Sequence, residues 1–136
     1  FAGSYVWGRL SDKSSRKVLF LSGMLAAGFA TLAVLAEVSG WAATAWVIPV
    51  TLFFFMLSYQ GVRSARSVYL VDMSPEDARS SYAALANTAI GVLLLITGAF
   101  GGLLALAGPV ASLTGFAVLS LAGGLLALRL DEVENA

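Results

Sequence analysis

Ser80 to Leu128 reads SSYAALANTAIGVLLLITGAFGGLLALAGPVASLTGFAVLSLAGGLLAL, 49 residues without a charged side chain. A helix rises about 1.5 Å per residue and a bilayer's hydrocarbon core is about 30 Å thick, so one crossing takes about 20 apolar residues. This stretch is long enough for two crossings. Its break falls at Gly108-Pro109, with Ser112 just beyond, because glycine ends helices and proline is preorganised for the first turn of the next. The spacing predicts helices over about 81–107 and 109–129. Outward from there, Val18–Ala36 is charge-free for 19 residues and Val38–Val62 for 25, which predicts spans over about 18–37 and 42–64. Residues 1–7 read as the end of a preceding helix. The apolar stretches are uniform around the helix rather than striped, which sets aside a soluble bundle. No ten-residue segments of alternating polarity occur, which sets aside a membrane β-barrel. The expected fold class is all-α: a polytopic membrane protein with the end of one helix plus four complete transmembrane helices.

Composition agrees with that reading and narrows the chemistry. The chain of 136 residues is 59% apolar and 12% charged, against roughly 25% charged in soluble domains. It has no His and no Cys, so a disulfide framework, a Cys/His zinc site, a catalytic thiol and a Ser-His-Asp triad are impossible within it. Eight basic and eight acidic residues give a formal net charge of zero, which leaves no basic stripe for nucleic acid. The chain opens at Phe1 in mid-hydrophobic sequence and reads as a fragment of a longer one.

The basic residues set the orientation. Arg9, Lys13, Arg16 and Lys17 precede the first complete span, Arg63, Arg66 and Arg79 lie between the second and third, and Arg129 follows the fourth. The connections around Glu37–Trp41 and at Gly108 have none. All eight therefore fall on one side, and basic loops stay cytoplasmic. The expectation is a multi-pass protein of the plasma membrane (the inner membrane if bacterial), with its basic loops and C-terminus in the cytoplasm. Trp41 and Trp46 fall near the outer interface.

The first loop reads Gly8-Arg9-Leu10-Ser11-Asp12-Lys13-Ser14-Ser15-Arg16-Lys17. Gly8 permits a tight turn or close helix approach, Asp12 is an anion able to sit against a helix N-terminus, and Lys13, Arg16 and Lys17 anchor the loop to the cytoplasmic face. The run resembles the signature loop of the major facilitator superfamily, G-x-L-A-D-[RK]-x-G-[RK]-[RK]. Gly8, Leu10, Asp12, Lys13, Arg16 and Lys17 match, while Ser11 replaces Ala and Ser15 replaces the second Gly. The resemblance implies a partial transporter domain over residues 1–136, built as a bundle of that superfamily. Asp12 would be a latch residue whose partner helix lies in the missing half.

A second cytoplasmic connection contains Arg63, Arg66, Asp72, Pro75 and Arg79. Its Asp72-Pro75-Arg79 run is similar to the D-x-x-P-x-x-x-R pattern that the same family places before its next span. Ser74 is expected to N-cap that span with Pro75 at the first helical position, and Arg63 or Arg66 is a candidate partner for Asp12. The helices fit either the second to sixth or the eighth to twelfth of the family's fold. The worn signature and the acidic tail Asp131, Glu132 and Glu134 favour the C-terminal half.

Within the spans, Gly23-x-x-x-Ala27, Gly98-x-x-x-Gly102 and Ser120-x-x-x-Gly124 place small residues on one face. Tyr59, Gln60 and Asn87 are the candidate pathway residues, since polar groups inside a membrane are costly without partners. No Asp, Glu or His lies deep in a complete span, so a proton-coupling site is expected in the missing half. No catalytic residue, metal site or cofactor is expected, and the chain is not expected to be an enzyme. The resemblance implies secondary active transport of a small-molecule solute, coupled to a proton or another ion, by alternating access. The partners are that solute, the lipid bilayer and the other half of the transporter, with no nucleic acid. The alternative from another class is a small membrane scaffold or subunit without transport of its own.

Overall fold

The computed structural model describes residues 2–133, and those residues form helices joined by short turns, with no strand among them. Phe1 and the acidic Glu134 of the tail lie outside the described residues. The helices are α1 (Ala2–Ser11), α2 (Ser15–Val38), α3 (Val47–Met73), α4 (Arg79–Ala105) and α5 (Pro109–Ala127), with a 3-10 turn at Trp41–Ala43 between α2 and α3.

Local chemistry sets the helix ends. Ser14 is extended (φ −170°) and its Oγ accepts the Lys17 backbone N–H at 3.4 Å, which caps α2. At the other end Ser39 N–H reaches the Leu35 carbonyl at 2.9 Å, and Gly40 at φ +75° turns the chain out of the helix as only glycine does without strain. Gly108 at φ +102° does the same between α4 and α5, and Pro109 opens α5 at a position where its missing N–H costs nothing.

Three boundaries differ from the sequence reading: α1, expected to end at residue 7, runs on to Ser11, and both ends of the second complete span move. The second complete span begins at Val47, because residues 41–43 take the 3-10 turn, and it runs on to Met73. Its backbone bonds continue past Arg63 and Arg66, since charge ends a membrane span but not a helix. Pro49 consequently sits in the first turn of α3, where proline is tolerated. Ser74 does not cap the next helix. It closes α3, its hydroxyl donating to the Leu70 carbonyl one turn back, while Pro75 enters a tight turn with Ala78 N–H on the Pro75 carbonyl at 3.0 Å. α4 starts only at Arg79.

α2 is the central helix, packed along both α5 and α3; α1 lies against α3, and α4 meets α5 over a shorter stretch. The interior is built from small side chains. Ala27, Ala30, Ala65 and Ala127 are buried, as are Ser22 and Ser58, and among the described residues the only large buried apolar ones are Trp7 and Val18. The bulky residues face outward instead: Leu106 is 86% exposed, and no residue of α4 is buried. This reverses the arrangement of a soluble domain, and it is what lipid selects, because close packing of small residues holds membrane helices together where lipid tails solvate leucine as well as protein does. α2, α4 and α5 are each long and apolar enough to cross a bilayer. The other expected crossing, the second complete span, is less uniform: α3 is apolar from Val47 to Val62 and more polar toward Met73.

Two of the three small-residue patterns meet. Gly23 and Ala27 of α2 pack at α5, where Gly23 lies against the backbone of Gly124 and Ser120. Gly98 and Gly102 of α4 have open space around them.

Candidate functional site

The C-terminal ends of α1, α3 and α5 and the N-terminal ends of α2 and α4 share one end of the bundle, which gathers the basic residues there. In the first loop, Asp12 N–H donates to the Gly8 carbonyl at 3.0 Å and Ser14 N–H to the Leu10 carbonyl at 3.1 Å. These bonds turn the chain from α1 into α2 within a few residues.

The loop is pinned by the segment that follows α5. Arg16 Nη2 donates to Glu132 Oε1 at 2.9 Å, Arg16 Nη1 donates to the Leu130 carbonyl at 3.1 Å, and Ser14 Oγ donates to the same Glu132 oxygen at 3.0 Å. Lys17 Nζ stands 3.9 Å from it. Arg16 and Glu132 are 29% and 27% exposed at their side chains, so their attraction is screened less than that of a fully solvated pair. Replacing Glu132 with Gln is expected to lower stability by about 1–2 kcal/mol, read as a lower melting temperature, since it removes charge from two charge-assisted contacts. Lys17→Ala is expected to stay near neutral because that side chain is 72% exposed.

The other predicted residues are not drawn into this cluster. Asp12 is exposed and its carboxylate has no hydrogen bond or ion pair among the described residues. Arg63 and Arg66 do not pair with it: both are exposed toward the C-terminal end of α3, and the ion pairs among the described residues all go to Glu132. Asp72, Pro75 and Arg79 are exposed as well. Lys13 is exposed in the turn, and Gly8 has no neighbour within 4 Å of where a Cβ would stand, so the close approach expected there is not made within these helices. Among the described residues no group of three metal-ligating side chains occurs.

A groove of about 550 Å³ opens between α2, α3 and α5, lined by Ser22, Phe55, Tyr59, Ser120 and Leu126 among others, with no Asp, Glu, Lys or Arg. Tyr59 is the one candidate pathway residue on its wall; Gln60 and Asn87 lie off it, Asn87 on the exposed surface of α4. At the groove floor Ser22 is fully buried, and its Oγ has no hydrogen-bond partner among the described residues. Gly61 leaves the room for it, because a Cβ there would collide with that hydroxyl. Sequence reasoning missed Glu132 and Ser14 as partners. The available signal was an acidic tail following the last span, on the same side as every basic loop.

A family model described as Major Facilitator Superfamily matches the chain over residues 1–136. No curated protein matches it, and no solved structure does.

Proposed function

The chain belongs to the Major Facilitator Superfamily, and from that premise we propose that it serves secondary active transport of a small solute, coupled to a proton or another ion, by alternating access. Members of this superfamily are membrane transporters, and the chain is an all-α, membrane-embedded protein. In the proposed mechanism two bundles rock about a central site, these helices supplying one of them and a second half of the same transporter the other. The solute is bound and released without covalent chemistry. The groove wall at Tyr59 belongs to the pathway, and the basic end of the bundle is the cytoplasmic gate.

The observation that supports this reading is the state of the first loop. Its turn is held from beneath by Arg16 and Ser14 on Glu132, while Asp12 on the same loop is exposed and its carboxylate has no partner among the described residues. A loop anchored at one end and presenting a free carboxylate is suited to grip a second body when the two close, and to release it when they part. Asp12 is the latch, Gly8 and Lys13 shape and flank it, and Arg63, Arg66, Asp72, Pro75 and Arg79 form the second cytoplasmic face of the gate.

The chain has no cysteine, so single cysteines introduced into a cysteine-free background of the intact protein test the reading directly. Lys13→Cys is expected to react with a membrane-impermeant maleimide from the cytoplasmic side of the plasma membrane only, and Ser39→Cys from the opposite side only. Tyr59→Cys is expected to change its labelling rate when the driving ion gradient is imposed or collapsed. A rate that stays constant under both conditions would leave the scaffold reading standing and remove alternating access.

A further inference from the structure

The outer surface of α1 carries a second constellation, of which the transport reading uses only Lys13. Tyr5, Val6, Arg9, Leu10 and Lys13 surround a shallow depression of about 430 Å³. Tyr5 and Arg9 stand one turn apart on one face of α1, as do Val6 and Leu10, and Lys13 follows in the turn just after the helix. Arg9 is held in place there. Its Nη1 donates to the Tyr5 hydroxyl at 3.3 Å, and its guanidinium lies 5.7 Å from the centre of the Tyr5 ring.

Neither Arg9 nor Lys13 forms an ion pair among the described residues; Asp12, their nearest acidic neighbour in sequence, stands beyond pairing distance of both. In contrast, Arg16 and Lys17 in the same loop are engaged by Glu132. The surface therefore has two cations without an ion pair among the described residues, one near the C-terminal end of α1 and one in the turn after it. Toward the helix start lie the exposed side chain of Val6 and the ring of Tyr5, with the exposed Leu10 beside Arg9. Charge at the helix end with apolar surface behind it matches the division between the phosphate and the acyl chains of a lipid.

We propose that this face of α1 is a binding site for an anionic phospholipid, its phosphate seated between Arg9 and Lys13 and the start of its acyl chain lying along Val6 and Leu10. A soluble phosphate would use the two cations and leave the apolar strip bare. A neutral lipid would cover the strip and leave the cations unmatched. An anionic lipid satisfies both parts of the surface. The tyrosine contributes by orienting Arg9 in advance, so that less side-chain freedom is lost on binding.

The test uses the intact protein in a neutral detergent, titrated separately with phosphatidylglycerol, phosphatidylcholine and inorganic phosphate, with bound lipid counted by native mass spectrometry and stability followed by the melting temperature. Phosphatidylglycerol is expected to bind in preference to phosphatidylcholine and to raise the melting temperature, with inorganic phosphate giving no shift. Arg9→Gln and Lys13→Gln are each expected to weaken phosphatidylglycerol binding about fivefold. Tyr5→Phe keeps both charges and removes only the hydroxyl that steadies Arg9, so a smaller weakening is expected from a variant that folds normally. Arg63→Gln with Arg66→Gln removes equal charge from the end of α3 and is expected to leave binding unchanged. Equal loss from that pair, an equal response to phosphatidylcholine, or an equal response to inorganic phosphate would each overturn the proposal. So would undiminished binding in the Arg9 and Lys13 variants, which is the outcome expected if other helices of the protein cover this face of α1.

Discussion

Gly23→Leu is expected to abolish most of the folded protein, and Gly23→Ala to lower its stability by about 3 kcal/mol, at the upper end of what overpacking costs. A Cβ at Gly23 would stand 2.7 Å from Gly124 Cα and 3.0 Å from both Gly124 N and the Ser120 carbonyl oxygen. All three neighbours are backbone atoms of α5. A side chain can rotate away from a crowded contact, but a helix backbone cannot, so relief requires α2 and α5 to separate. That separation would undo the interface through which the central helix of the bundle is held, including the buried Ala27 and Ala127 beside it. The effect should be asymmetric. At Gly124 a Cβ meets the Phe20 carbonyl at 3.3 Å and Gly23 Cα at 3.4 Å, contacts that yield with a shift of a few tenths of an ångström, so Gly124→Ala is expected to cost distinctly less. Gly28 has nothing within 4 Å, and Gly28→Ala should be neutral or slightly stabilising through helix propensity. Melting temperature and the monodisperse fraction after detergent extraction measure all four variants, and equal losses at Gly23 and Gly28 would show that the α2–α5 contact is not backbone on backbone.

That interface was legible before any coordinates, because Gly23-x-x-x-Ala27 and Ser120-x-x-x-Gly124 place small residues at the spacing of one helix face. What the spacing did not contain was which pattern meets which: Gly98-x-x-x-Gly102 has the same form, yet it finds no neighbour among the described residues. The turn at Gly108-Pro109 was legible for a similar reason, since a positive φ and a missing N–H are properties of those residues alone. The length of α3 was not. Charge reports where a helix leaves lipid, and Arg63 and Arg66 mark that point, but intrahelical hydrogen bonds form equally well on the far side of it. Ser74 shows a competition that sequence leaves undecided, because a serine hydroxyl can cap the helix after it or bond back into the helix before it. The Arg16–Glu132 contact joins residues 116 apart in sequence, and nothing in the signature loop indicates which of the tail carboxylates it engages. The division among the residues of the first loop comes only from the fold: Ser14, Arg16 and Lys17 engage Glu132, while Asp12 and Lys13 form no ion pair among the described residues.

Asp12→Asn is expected to slow transport by the intact protein about tenfold or more while leaving its melting temperature unchanged. The substitution keeps the side chain's size and removes its charge, and within the bundle it breaks nothing, because the carboxylate is exposed and has no partner among the described residues. The turn itself depends on the Asp12 backbone N–H, which is bonded to Gly8 whatever the side chain. Any loss of transport must therefore arise from a contact made with a body outside these helices. A carboxylate at a helix N-terminus contributes about 0.3–1 kcal/mol when exposed and up to about 2 when partly buried. Since about 1.4 kcal/mol is a tenfold change in an equilibrium, a single such contact formed in one conformation and absent in the other is sufficient to bias a gate. Glu132→Gln provides the opposite case, since it should lower the melting temperature by loosening the loop's anchor and slow transport less. Two variants of neighbouring acidic groups, one affecting rate without stability and the other stability more than rate, would separate the latch from the anchor that positions it. If Asp12→Asn transports at the full rate, the latch role is lost, and the exposed carboxylate is then only one more solvated charge at the basic end of the bundle.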